Sequence, residues 1–150
     1  MSTNTITTGL PISTAVRNEQ LQVSTIPAQW VVSGDSTTKS KVLGKTQDRL
    51  AYVALWECGS VNFKWHYAQD EAFVVLSGEA FMTDEQGREH RYGTGDVGFF
   101  PAGTTITWRI PDHLRKVAFV KEPVWPPFAL LLKGWSKMLG VIGLSTKAAL

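Results

Sequence analysis

From residue 50 onward the chain alternates short apolar, β-prone runs with turn signals. LAYVALWEC, VNFKWHY, EAFVVLSG and EAFMT come first, then the turn DEQG, in which Gly87 suits a left-handed position. REHRY follows, GTG breaks the chain, VGFFP is stopped by Pro101, and TTITWRI and KVAFV complete the series. Many short strands at regular spacing predict an all-β fold of antiparallel strands, a sandwich or barrel. Upstream, IPAQWVVSGDSTTKSKVLG reads as an extended lead-in anchored by Trp30, which is expected on the outside of the main sheet. Residues 1–20, rich in Ser, Thr and Asn, read as a flexible arm. After Pro123, Pro126 and Pro127, the apolar residues Phe128, Leu131, Leu132, Trp135, Met138, Leu139 and Ile142 recur every three or four positions, the period of a helix. The expected organisation is an arm (1–20), a barrel (21–124) and a C-terminal amphipathic tail (125–150).

A chain of 150 residues with 43% apolar and 19% charged residues suits one domain with a sizeable core. Its single cysteine, Cys58, excludes an internal disulfide, and no Cys/His zinc pattern is present. MSTNTITTGLPIST has no basic region and no apolar stretch of a secretory leader, so a cytoplasmic location is expected. A net charge of +2 gives no argument for nucleic acid. The charge is uneven: residues 1–110 hold nine Lys/Arg against eleven Asp/Glu, residues 111–150 six against two. The basic tail is expected to pack on the barrel or on a partner chain. Its contact with an anionic membrane is the less favoured alternative.

Two glycine-anchored stretches carry a resemblance. Gly59 is followed at motif spacing by Trp65, Tyr67, Glu71 and Gly78, and GDVGFFPAG sets Gly95, Pro101 and Gly103 in a second motif. Their order and spacing resemble the two motifs of the cupin superfamily, G-x5-H-x-H-x3or4-E-x6-G and G-x5-P-x-G-x2-H-x3-N. WECGSVNFKWHYAQDE, EAFMTDEQG, GTGDVGFFPAGTTITW and RKVAF look like the branch with ureidoglycine aminohydrolase-like domains and many uncharacterised bacterial proteins. The resemblance implies a single small cupin barrel, a double-stranded β-helix or jelly roll, and a homodimer. In the metal-dependent members it also implies a divalent ion such as Mn or Zn.

The ligand positions of those motifs are altered here. Alternate residues of a strand face one side, so an H-x-H pair aims two imidazoles inward. Here the pair is Trp65 and Tyr67, the third histidine position is Ile106, and the asparagine position is Ile110. Glu71 alone keeps a metal-ligand side chain. A frame shifted by one residue would turn Lys64 and His66 inward with Glu71. It would also turn Phe63, Trp65 and Tyr67 outward and bury a lysine, so the first frame is preferred and His66 is placed outside. No metal is expected; if one is present, its ligands are Glu71 with His66 or Tyr67.

The expected interior is Phe63, Trp65, Tyr67, Phe73, Ile106 and Trp108 with the single carboxyl of Glu71. Two readings stay open. One is a filled core in which Tyr67 and Glu71 hydrogen-bond each other. The other is an aromatic-walled pocket for a small polar organic ligand, with Glu71 available as an acid or base. Catalytic residues are not assignable from sequence. Cys58 reads as a buried small hydrophobe, His90 and His113 as exposed, and Asp96 as a turn cap. The leading expectation is therefore a ligand-binding cupin with a degenerate metal site. Its alternatives are a divalent-metal enzyme resembling ureidoglycine aminohydrolase and an interaction module acting through the tail.

Overall fold

The computed structural model describes residues 19–141 of the chain. Residues 1–18 of the expected arm and 142–150 of the expected tail, Ile142 included, lie outside the described residues. Ten strands are present: β1 (Gln22–Thr25), β2 (Val31–Gly34), β3 (Thr37–Lys45), β4 (Ala51–Cys58), β5 (Val61–His66), β6 (Asp70–Thr83), β7 (Glu89–Gly93), β8 (Val97–Phe100), β9 (Thr105–Ile110) and β10 (Leu114–Lys121). One helix follows, α1 (Pro126–Val141). All pairings are antiparallel. The strands form one sheet in the order β1-β3-β4-β10-β6-β9-β5-β2, with β7 and β8 both on β6. The sheet curls on itself as a mostly β, cupin-like half-barrel, as the strand pattern predicted.

The curl passes through β6. EAFVVLSG and EAFMT, read from sequence as two strands, are one strand of 14 residues. Its first half, up to Gly78, pairs with β10, and its second half, from Glu79, pairs with β7. Gly78 makes the crossing possible. Its φ of +80° lies in the left-handed region, and a Cβ there would sit 2.0 Å from the His113 carbonyl oxygen. Gly98 serves the core differently: a Cβ on it would lie 2.3 Å from the Phe73 ring, so its absence lets that ring fill the space.

The lead-in is extended, as expected, and departs from expectation at Trp30. Its extended chain is built into the sheet as β2 and β3, the latter because Thr38, Ser40 and Val42 alternate with Lys39 and Lys41 and β4 offers an open edge. Trp30 is not on the outside of the sheet. It ends a 3-10 turn, Ala28–Trp30, and packs edge-on against Trp65 at 4.9 Å between ring centres. That contact covers both indoles on the concave side.

Inside the curl, alternate positions interlock: Val61 and Phe63 from β5, Phe73 and Val75 from β6, Ile106, Trp108 and Ile110 from β9, Leu114, Ala118 and Val120 from β10. Aromatic rings dominate. Phe63 stacks on Trp108 at 5.6 Å, Phe73 on Phe100 at 5.5 Å and Tyr67 on Phe100 at 4.8 Å. Each such ring stabilises by about 2–3 kcal/mol through burial alone.

The tail forms the expected helix, started by Pro126 and Pro127 at positions where a missing N–H costs nothing. The Trp125 carbonyl accepts the N–H groups of Phe128 and Ala129 at 2.9 and 3.0 Å. Packing on the barrel is not observed. Phe128, Leu131, Leu132, Trp135 and Met138 are all exposed, Leu131 at 68% and Trp135 at 57%. The proline-rich connection carries the helix off the barrel before its apolar side can close on it. Among the described residues, no helix is long and apolar enough to cross a membrane.

Candidate functional site

The inner faces of β4, β5, β6, β9 and β10 enclose a cavity of about 240 Å³. Its wall includes Tyr52, Trp56, Phe63, Trp65, Tyr67 and Trp108, with Glu71 and Lys116 as its inner charged groups and Ser40, Lys41 and Val42 from β3 completing it. Of the residues singled out from sequence, Phe63, Trp65, Tyr67, Glu71 and Trp108 are in this wall. Phe73 and Ile106 are buried core residues and not part of it.

The facing of β5 follows its alternation. Phe63 and Tyr67 are buried, Trp65 is half-buried against the core, and Lys64 and His66 point to solvent. His66 Nδ1 hydrogen-bonds Thr105 Oγ1 at 3.0 Å on the outer side. His66 is therefore not a partner for Glu71. Two backbone bonds fix Tyr67 just beyond the strand: its N–H donates to Thr104 O at 2.9 Å, and its carbonyl accepts from Gly103 N at 2.7 Å. The second motif's glycine turn thus holds the end of the first motif's strand.

Glu71 does not hydrogen-bond Tyr67, as the filled-core reading expected. Its Oε1 accepts from Lys116 Nζ on β10, and the two side chains are 13% and 8% exposed. The ammonium also lies 4.9 Å from the centre of the Trp108 ring, 5.0 Å from Phe73 and 5.4 Å from Trp56. A cation over aromatic faces in a dry site gains about 0.5–2 kcal/mol per contact. Three rings and one carboxylate together hold this charge below the surface. The carboxylate acts on its other neighbours in turn. Burial pushes the Tyr67 hydroxyl well above its ordinary range, and the Glu71 charge adds to the rise. The same two causes, in the same order, raise Tyr52.

One polar atom of the wall stands out. Trp108 Nε1 is buried without a hydrogen-bond partner among the described residues. The Tyr67 hydroxyl lies beside it, and the indole N–H opposes the rise of that hydroxyl, although the contact falls outside strict hydrogen-bond geometry. At the edge of the wall, Lys41 pairs with Glu19. Elsewhere, Cys58 is buried and its thiol is pushed up to about 12, chiefly by desolvation. His90 and His113 are exposed beside Asp84 and Asp112, and Asp96 Oδ2 caps its turn by accepting from Gly93 N at 2.8 Å.

Residues 45–118 match the family model of the EutQ-like cupin domain. The fold is cupin-like, and this stretch of the chain is similar to that family. Solved cupin-like structures agree in fold. The chain is similar to a protein of unknown function, of the DUF861 family, from Pseudomonas syringae pv. tomato. That match has 20% identity and a TM-score of 0.65, and covers 70% of this chain and 46% of the other. It is also similar to a candidate ethanolamine utilization protein Q from Salmonella typhimurium, with 22% identity and a TM-score of 0.52 over 68% of this chain and 95% of that one. The EutQ protein of Clostridium difficile matches at 23% identity and a TM-score of 0.51, over 59% of this chain and 71% of that one. At these identities the likeness is one of fold. A comparison with curated proteins found no match.

The cupin frame allows the metal question to be put to this donor set. Where the motifs place three histidines, this chain has Trp65, Tyr67 and Ile106, and the one remaining carboxylate is engaged by Lys116. Among the described residues, no group of three His, Cys, Asp or Glu could hold a metal ion. These residues do not fit a divalent cation.

Sequence reasoning missed Lys116, Trp56 and Tyr52. On β10 the inward set is Leu114, Lys116, Ala118 and Val120, while Val117 and Phe119 face outward. Hydropathy alone does not separate these faces. The usable signal was the glutamate: a carboxylate committed to the interior needs a cation, and Lys116 is the charged residue on that side of β10.

Proposed function

We propose that this cupin binds a small organic molecule with an apolar, ring-sized body and a polar group, in the cavity between Trp56, Trp65 and the Lys116–Glu71 pair. The observation that carries the reading is the pair itself. A buried ion pair is costly to desolvate and often contributes little to stability compared with apolar residues of similar size. Here both residues of the pair line a cavity. Aromatic walls around a few convergent polar groups are the usual composition of a small-ligand site. The metal-dependent aminohydrolase reading has no comparable support, since its ligand positions are aromatic and aliphatic.

A thermal-shift screen of small acids, amines, carbonyl compounds and sugars tests this reading. Hits are expected for ring-sized compounds. A ligand at a hundred times its Kd adds about 2.7 kcal/mol of stability. Trp65→Ala, which opens the wall without touching the ion pair, is expected to abolish the shift. A library with no hit, or hits unchanged in Trp65→Ala, argues for a core that merely packs imperfectly.

A second reading rests on α1. Its exposed Leu130, Leu131 and Trp135 form an apolar side that favours self-association of the cupin as a homodimer. Truncation after Val124 followed by sizing tests it: the full chain is expected to run as a dimer and the truncated chain as a monomer, and an unchanged size refutes the role of the tail.

A further inference from the structure

Two of the cavity's inner polar groups, Lys116 and Trp108, can only donate. Trp108 Nε1–H is buried and unpartnered. Lys116 Nζ, 4.9 Å from the centre of the same indole, carries three N–H groups, of which Glu71 engages one. Tyr67, next to both Glu71 and Trp108, brings a hydroxyl that burial keeps protonated. A buried donor without a partner is destabilising unless something fills its place. A further acceptor oxygen would serve Trp108 Nε1 and the Lys116 N–H groups that Glu71 does not engage.

The charge balance narrows the kind of oxygen. Glu71 already neutralises Lys116, and Lys41 at the edge of the wall is neutralised by Glu19. A carboxylate entering the cavity would meet no surplus positive charge and would lie close to the Glu71 carboxylate. An uncharged carbonyl oxygen meets the same donors without that repulsion. The geometry points to a neutral carbonyl group, as in a ketone, aldehyde or amide on a ring-sized body, taken between Lys116 Nζ and Trp108 Nε1. Glu71 positions the ammonium, and the walls of Trp56, Phe63 and Trp65 receive the rest of the molecule. This assignment rests on the ligand-binding reading above and adds the group that is recognised.

The test compares four probes of one size by calorimetric titration: acetophenone, ethylbenzene, benzoate and benzylamine. Acetophenone is expected to bind about tenfold or more tighter than ethylbenzene, the worth of one to two well-made hydrogen bonds, and tighter than benzoate or benzylamine. Trp108→Phe removes the N–H and keeps a ring. It is expected to weaken acetophenone by about fivefold or more while leaving ethylbenzene nearly unchanged. The double variant Lys116→Met/Glu71→Leu avoids leaving a lone buried charge and is expected to erase the preference for acetophenone. Equal binding of acetophenone and ethylbenzene, tighter binding of benzoate or benzylamine, or a preference that survives both variants overturns the carbonyl assignment but leaves the pocket. Failure of all four probes to bind overturns the pocket reading as well.

Discussion

Lys116 Nζ donates to Glu71 Oε1 from the neighbouring strand, although the two residues are not opposite one another. Lys116 is in register with Val75, and Glu71 with Val120. The lysine stem therefore runs along the sheet past the next inward residue of β10, which is Ala118. A larger residue at 118 would close that path. The pair is an intramolecular cation and anion, with Glu71 at the carboxylate position of the first motif.

The pair is expected to show the signature of coupled buried charges. Lys116→Met alone leaves Glu71 buried without its cation, and Glu71→Leu alone leaves Lys116 without its anion; each should cost about 3–5 kcal/mol. The double variant should recover most of that loss. Urea unfolding of the three variants and the parent gives the cycle, and additive losses would mean that the two charges do not depend on each other.

Cys58 should be silent toward thiol reagents in the folded protein. Burial pushes its thiol up to about 12, so at pH 8 it is protonated as well as inaccessible. Labelling with a disulfide reagent is expected only after unfolding. The same shift has a stability consequence. Between the thiol's ordinary value of 9.0 and about 12 the folded chain retains a proton that the unfolded chain releases, so stability falls as pH rises through that window. Cys58→Ala should remove this part of the alkaline loss, readable as a smaller drop in Tm from pH 8.5 to 10.5.

The β6–β7 turn should titrate in acid. The Arg88 backbone N–H, with help from His90 and the Arg88 side chain, holds the Asp84 carboxyl at about 2, below its ordinary 3.8. A depressed carboxyl adds stability that is present above its unfolded value and is lost as pH falls through the folded one. Asp84→Asn should therefore flatten the decline in stability between pH 4 and 2, measured by thermal melts; an unchanged decline would show that the turn does not depend on this carboxylate.

Gly78→Ala should be among the most damaging single changes. The new Cβ would meet the His113 carbonyl oxygen at 2.0 Å in a left-handed backbone conformation. Backbone of β6 and the chain before β10 would have to part. A loss of at least about 2 kcal/mol is expected in urea unfolding. Gly87→Ala, also at positive φ but with nothing within 4 Å, should cost less. Equal losses would mean that strain and not collision sets the cost.

Much of this fold was legible because period-two patterns and turn residues act locally. Counting from Gly59 set the facing of Trp65, Tyr67 and Glu71, and the outward position of His66 followed from it. The unity of β6 was not legible, since Ser77-Gly78 reads as a turn until β7 is known to pair with the strand beyond it. Trp30 was misplaced because a large aromatic gains from burial on either face, and only the 3-10 turn decides which. Lys116 stayed hidden because β10 carries apolar residues on both faces. The carboxylate that needs it lies 45 positions away in sequence and on an adjacent strand.

The central claim, that the cavity beside Lys116 and Glu71 receives a small molecule, is tested most directly by the indole N–H signals in a two-dimensional ¹H–¹⁵N spectrum. The chain has six tryptophans, and single Trp→Phe variants assign their signals. Titration with acetophenone is predicted to shift Trp108, Trp56 and Trp65 in a saturable manner, and to leave Trp125 and Trp135 near the tail in place. Signals of the three wall tryptophans that do not move, while Trp125 and Trp135 do, would contradict the account.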